Sequence, residues 1–79
     1  MLIKISYNGK SSKEKFGLDI KFQEFVKILS NLFNIDSDSL QIFHSYPPTQ
    51  LFAKPEDLLS VTCIKEGILI NLRYEILNT

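Results

Sequence analysis

The stretch His44–Leu51 reads HSYPPTQL and decides the fold, because it separates two apolar runs, Leu40–Phe43 and Leu51–Phe52. Pro47 and Pro48 each lack a backbone N–H and fix φ at about −65°, so neither a helix nor a central strand can continue through them. The run before the prolines therefore predicts a strand that ends there. The run after them predicts a short edge strand.

The two prolines also predict a stiff loop whose one large side chain is Tyr46. The residues alone leave two interpretations open. In the first, the loop is a connector and Tyr46 packs on the core. In the second, Tyr46 is the tip of a rigid finger that enters a pocket of another protein. We also predict that Tyr46–Pro47 or Pro47–Pro48 is cis, or that the turn is otherwise tight, because a cis bond before proline costs only about 0.5–1 kcal/mol.

The composition is that of one small globular domain, and we expect a monomer with a single domain over residues 1–79. Nine basic residues balance nine acidic ones, so we expect neither a nucleic-acid partner nor a membrane surface. No apolar run approaches the roughly 18–20 residues of a membrane span. The single cysteine, Cys63, excludes an internal disulfide and favours a reducing compartment, so we expect the cytoplasm or the nucleus.

The N-terminal residues alternate in polarity and predict a strand with Ile3 and Ile5 on its buried face. Asn8–Gly9 follows, which is a strong signal for a two-residue hairpin turn. Such a turn, however, would place polar residues opposite both isoleucines. A wider loop would place Phe16 opposite Ile5, so we predict the wider loop and a second strand over Lys13–Leu18.

The apolar period becomes helical at Phe22 and predicts a helix of about 12 residues that ends at Asn34. Asp19 is the predicted N-cap. We interpret the apolar stripe of this helix as its core face rather than as a binding face. The stripe consists of Phe22, Phe25, Leu29 and Leu32, flanked by Val26 and Phe33.

The last apolar run predicts a strand over Ile68–Tyr74. One helix must then cover a mixed sheet of four to five strands, with the first and last strands adjacent in its centre. This is the α+β arrangement called the β-grasp. Inward positions predict one core that contains Ile3, Ile5, Phe16, Leu18, Phe22, Phe25, Leu29, Ile42, Leu51, Ile64, Ile68 and Ile70, with Leu58, Leu59 and Leu72 also facing inward.

Nearly the whole chain resembles the ubiquitin superfold, in which Phe22, Phe25 and Leu29 stand where that fold keeps its helix core residues. A finer resemblance lies in Ile42–Pro48 followed by Leu51. This segment is similar to the loop between the third and fourth strands of UBX domains. It is closer still to that of the UBX-like domain at the N-terminus of certain OTU-family deubiquitinases.

In those families the aromatic-proline loop enters a cleft in the N-terminal domain of the valosin-containing-protein type AAA ATPase. The resemblance implies that Tyr46 fills the pocket while Pro47 and Pro48 hold the turn. It further implies a non-catalytic adaptor that delivers an attached deubiquitinase to ubiquitylated clients, in the ubiquitin–proteasome or ER-associated degradation pathway. The catalytic residues of such a parent enzyme would lie outside these 79 residues.

The sequence departs from the family pattern at three places. Pro48 occupies the position of the usual UBX arginine, and Ser45 that of a glycine common in the deubiquitinase version. Lys4 stands for the basic residue of the first strand, and a lysine is less able than arginine to make a planar bidentate contact. The chain has no terminal Gly-Gly, so the resemblance does not extend to a conjugated modifier.

A second candidate surface lies on the outer face of the sheet. Alternation turns Ile42 inward and Phe43 outward, close to the outward-facing Leu69, which makes a candidate partner patch. The alternative is that Phe43 is buried and Ile42 lies at the rim. This patch suggests a different function, a ubiquitin-like domain recognised by ubiquitin receptors or the proteasome. A third hypothesis is that the domain contacts the catalytic domain of its own parent enzyme.

Catalytic and metal chemistry have little support in the sequence. Cys63 and His44 are the only cysteine and histidine, and nothing in the sequence places a third group beside them. We interpret Cys63 as a half-buried structural cysteine and His44 as a strand-end residue that covers the core. Four protein ligands for zinc are not available from one cysteine and one histidine. We therefore predict no cofactor, no metal and no enzymatic activity for this chain.

Overall fold

The computed structural model describes residues 1–74. Its elements are β1 (Leu2–Tyr7), β2 (Lys10–Lys15), α1 (Phe22–Phe33), β3 (Leu40–His44), β4 (Thr49–Gln50) and β5 (Leu69–Tyr74), with short 3₁₀ turns at Ser37–Ser39 and Leu59–Val61. The strand order is β2-β1-β5-β3-β4. The central pair, β1 and β5, is parallel, and every other pair is antiparallel. The predicted β-grasp fold of a mixed sheet on one helix is confirmed.

The turn between β1 and β2 differs from the prediction. Asn8 and Gly9 adopt φ values of +50° and +81° and form a two-residue turn. Ser12 therefore lies opposite Ile5, and Glu14 lies opposite Ile3. The predicted wider loop and the strand over 13–18 are wrong, because two consecutive residues that tolerate positive φ fix the register locally.

An edge strand can accept this polar register. On the inward side of β2, the Ser12 hydroxyl donates to a Glu14 carboxylate oxygen at 2.8 Å. Phe16 is nevertheless buried, and its ring contacts that of Phe25 with centroids 4.8 Å apart. Its N–H donates to the Met1 carbonyl at 2.8 Å, so it reaches the core from just beyond the strand. Leu18, which was predicted for the core, is 52% exposed.

The helix ends as predicted but begins without the predicted cap. Asn34 follows its last turn with φ +56°, in the left-handed region. The N-cap residue is Lys21 and no side chain caps the helix, so the assignment to Asp19 is wrong. Backbone carbonyls replace the missing cap: the N–H of Phe22 donates to the Asp57 carbonyl at 2.6 Å, and the N–H of Gln23 donates to that of Pro55 at 3.0 Å.

The core lies between α1 and the inner face of the sheet. Of the residues predicted for it, Phe22 and Ile68 are only half-buried. Leu58, at 39% exposure, and Leu32, at 45%, lie outside it. Leu59 is fully buried, as predicted, and Ile35, which was not among the predicted core residues, is buried as well. Within residues 1–74 the buried hydrophobic residues are Ile3, Ile5, Phe16, Phe25, Leu29, Ile35, Ile42, Leu51, Leu59, Ile64, Ile70 and Leu72.

Candidate interaction site

The loop between β3 and β4 consists of residues 45–48, because His44 pairs with Thr49 at the ends of the two strands. Ser45 turns the chain out of β3 with φ +70°, and the Tyr46–Pro47 bond is cis, as predicted for one of the two bonds. The Tyr46 side chain is 96% exposed. The interpretation in which Tyr46 packs on the core is therefore wrong, and the ring is free at the tip of the loop.

Contacts at both ends of the loop hold it to the sheet. At its start, the Ser45 hydroxyl lies 2.8 Å from Nδ1 of His44. At its end, the Thr49 hydroxyl lies 3.4 Å from the Pro47 carbonyl oxygen, and the N–H of Leu51 donates to the Ile42 carbonyl at 2.8 Å. Leu51 is buried and anchors the returning chain in the core. The exposed Tyr46 side chain is thus carried by a loop whose two ends are held by hydrogen bonds and by the buried Leu51.

The outer face of the sheet carries the second predicted group of residues. Ile42 is buried and Phe43 lies on the opposite face, so the predicted alternation of β3 is confirmed. Phe43 is half-buried rather than exposed, because the Arg73 guanidinium carbon lies 4.4 Å from its ring centroid. Leu69, on the neighbouring strand, is 46% exposed. An apolar patch is present on this face, and Arg73 covers part of it.

The pairing of the strands shows where Lys4 and Leu69 lie relative to the loop between β3 and β4. His44 pairs with Ile70 of β5, and one residue earlier on that strand Leu69 pairs with Lys4 of β1. Because β3 and β5 are antiparallel, this is the direction in which Ser45 leaves β3. Lys4 and Leu69 therefore lie towards the end of the sheet that carries the loop.

The outer face of the sheet also carries several basic side chains, which the net charge of zero for the whole chain does not reveal. Lys13 lies opposite Lys4, and Lys15 lies opposite Leu2. Together with Arg73 these side chains place four cations on outward positions of the strands. Within residues 1–74 no carboxylate occupies an outward strand position, since Glu14 is opposite the buried Ile3. Counting charges on alternate strand positions, rather than over the whole chain, would have found this face.

The structure places Cys63 beside His44. The Cys63 sulfur lies 3.4 Å from Nε2 of His44, and Cys63 is exposed, so its interpretation as a half-buried structural cysteine is wrong. The part of the chain that the structure describes contains no group of three or more His, Cys, Asp or Glu side chains that could hold a metal ion. In the same residues, no helix is both long and apolar enough to cross a membrane.

Solved structures of low sequence identity share this fold. The chain of ATBAG1, from a crystal structure in complex with HSP70, has a TM-score of 0.77 at 16% identity, covering 98% of this chain and 41% of that one. The N-terminal ubiquitin-like domain of the 4931431F19Rik protein has a TM-score of 0.76 at 13% identity, covering 100% of this chain and 78% of that one. The Arabidopsis thaliana protein At2g32350 has a TM-score of 0.77 at 13% identity, covering 99% of this chain and 89% of that one.

These similarities show a ubiquitin-like fold. This chain spans less than half of the ATBAG1 chain, and the complex with HSP70 is a property of that protein. At 13–16% identity the likeness does not distinguish a UBX-like domain from other ubiquitin-like domains. No protein-family model matches the sequence, and no curated protein matches it.

Proposed function

We propose that this ubiquitin-like domain is a non-catalytic interaction module of the UBX-like class. Its Tyr46 loop would dock into the N-terminal domain of a valosin-containing-protein type AAA ATPase and recruit an attached deubiquitinase to ubiquitylated clients. The observation that carries the proposal is the 96% exposure of the Tyr46 ring on a loop attached at both ends. A large aromatic side chain that its own core leaves in water is suited to fill a partner's pocket.

The energetics of this docking favour one anchor. A tyrosine ring buries roughly 150–250 Å², which at about 25 cal/mol per Å² contributes roughly 4–6 kcal/mol before the costs of association. Pro47 and Pro48 restrict φ, so less conformational entropy is lost when the loop is immobilised. Lys4 would add a charged contact at the rim, of smaller effect than the buried ring.

A titration of the ATPase N-terminal domain with wild type and Tyr46→Ala tests the proposal. Truncation of a central aromatic anchor costs about 2 kcal/mol or more, so the dissociation constant should rise roughly 30-fold or more. The matched control is Phe52→Ala, because Phe52 is also a largely exposed aromatic, at 80%, but lies outside the loop. It should change the dissociation constant less than about threefold.

Thermal unfolding of both variants completes this test. An exposed side chain contributes little to the folded state, so the free energy of unfolding should change by less than about 0.5 kcal/mol in each. Unchanged ATPase binding by a folded Tyr46→Ala variant would exclude the plug. A large loss of stability would instead mean that Tyr46 belongs to the core.

The outer face of the sheet supports a second candidate function, recognition by ubiquitin receptors or the proteasome. The favouring observation is that Leu69, 46% exposed, lies two residues along β5 from Asn71, which is opposite Phe43, on a face with four cations. Such a face suits a partner that is apolar and acidic. Leu69→Ser should weaken receptor binding at least about tenfold if this face is the contact. An undiminished receptor affinity would exclude it.

A further inference from the structure

Cys63 and His44 come from separate parts of the chain and meet at the loop end of the sheet. They are 19 positions apart in sequence, and the Cys63 sulfur lies 3.4 Å from Nε2 of His44. The thiol is exposed, so a small reagent can reach it. A thiol in contact with an imidazole has a local acceptor for its proton, and the thiolate is the nucleophilic form of cysteine.

The imidazole is oriented by its neighbours. Its Nδ1 lies 2.8 Å from the Ser45 hydroxyl, and when Nδ1–H donates to that oxygen, the lone pair of Nε2 faces Cys63. The backbone of His44 is held in β3 by pairing with Ile70 and Thr49. Both ring nitrogens of His44 are therefore engaged, one by a hydroxyl and the other by the thiol.

The segment around Cys63 is fixed as well. On one side the Thr62 hydroxyl donates to the Leu59 carbonyl at 2.7 Å and accepts from the N–H of Ile64 at 3.2 Å. On the other side the Ile64 side chain is buried in the core. The thiol is thus presented from a held backbone rather than from a loose loop, so its distance to the imidazole is a feature of the fold.

A cavity of about 310 Å³ adjoins the pair and is bordered also by Lys65, Glu66 and Gly67. Glu66 is engaged elsewhere, because its carboxylate accepts a hydrogen bond from the N–H of Leu2 at 2.5 Å. Lys65 and Glu66 contribute one charge of each sign to the border of this cavity. The space is at the small end of ligand-sized cavities, so it suits one half of a disulfide such as glutathione disulfide, with the other half left in solvent.

We propose that Cys63 is a site of thiol–disulfide exchange with low-molecular-weight disulfides, with His44 as proton acceptor and Ser45 as the residue that positions it. In the exchange, the Cys63 sulfur bonds to one sulfur of glutathione disulfide while the disulfide bond of the reagent breaks. The proton of Cys63 passes to Nε2 of His44 and then to the departing glutathione sulfur. The products are the mixed disulfide at Cys63 and one reduced glutathione, and the disulfide itself is the oxidant.

The test uses intact-mass spectrometry to measure how fast the mixed disulfide forms at Cys63 when the protein is incubated with glutathione disulfide. Cys63 is the sole cysteine of the sequence, so the mass change reports one site, and Cys63→Ser is the blank. The same chain unfolded in urea supplies the reference for an unassisted thiol. We expect the folded protein to react at least about tenfold faster than the unfolded chain. Equal or slower reaction in the folded state would overturn the proposal.

Three further measurements separate assistance by His44 from a structural role. His44→Ala should reduce the folded rate to about that of the unfolded chain, and added imidazole should restore part of the loss. Ser45→Gly, which suits the φ of +70°, should reduce the rate less than His44→Ala does, with unfolding unchanged. A His44→Ala variant that folds and still reacts at the wild-type rate would contradict the role of the His44 side chain. A reduced rate in His44→Ala that added imidazole does not raise would contradict it as well.

Discussion

Arg73 lies over the ring of Phe43, with its guanidinium carbon 4.4 Å from the ring centroid. This contact places a cation on the aromatic face and covers part of an apolar patch. We expect Arg73→Ala to lower the free energy of unfolding by about 0.5–1 kcal/mol. Urea unfolding measures the change. Lys13→Ala is the control, because Lys13 is an exposed cation of the same face that lies opposite Lys4. Equal effects of the two substitutions would contradict a specific contact.

The turn at Asn8 and Gly9 gives a prediction that separates the observed register from the wider loop. Gly9 has φ +81°, so Gly9→Val should cost about 1–2 kcal/mol of stability, whereas Asn8→Gly should stay within about 0.5 kcal/mol of wild type. Chemical denaturation measures both. A harmless Gly9→Val substitution would mean that the chain does not turn at these two residues.

Two leucines provide a matched pair for the core. Leu59 is fully buried and Leu18 is 52% exposed, although both were predicted to face inward. Leu59→Ala should lower the free energy of unfolding by about 2–5 kcal/mol. This loss is a large part of the total free energy of unfolding of a domain this small. Leu18→Ala should cost less than about 1 kcal/mol. The midpoints of urea unfolding compare them, and a reversed order would mean that the observed packing is wrong.

Lys4 gives a prediction for the docking interface. A charge at the rim changes affinity modestly, so Lys4→Ala should weaken ATPase binding about two- to fivefold, with a smaller loss at high salt. Lys10→Ala is the control, since Lys10 pairs with Tyr7 at the opposite end of β1. If the two substitutions weaken binding equally, Lys4 is not part of the contact.

Much of the fold followed from local patterns. The helical period from Phe22 and the left-handed residue Asn34 set the limits of α1, and alternation in β3 turned Ile42 inward. The register of β2 did not follow from apolar matching, because the two-residue turn at Asn8 and Gly9 fixes it and sets polar residues opposite Ile3 and Ile5. An edge strand can turn Ser12 and Glu14 inward when they bond each other, and Phe16 then fills the core from beyond the strand.

The remaining features depend on contacts between distant segments. Asp19 had the residue type of a helix cap, but carbonyls of Pro55 and Asp57 satisfy the first helical N–H groups instead. Cys63 and His44 meet only because the irregular segment before β5 returns to the end of β3, and no periodicity predicts such a segment. The proline pair predicted the loop, whereas the residues alone left open whether Tyr46 packs on the core, and in the fold its side chain is 96% exposed.

The most direct test of the central proposal is an NMR chemical-shift map of the labelled domain, titrated with the unlabelled ATPase N-terminal domain. We predict that the largest amide perturbations fall on the Tyr46 loop, at Ser45, Tyr46 and Thr49, with smaller changes at Lys4. Largest perturbations at Phe43, Leu69 and Arg73, with the loop amides unmoved, would contradict the docking of Tyr46, and so would the absence of any perturbation.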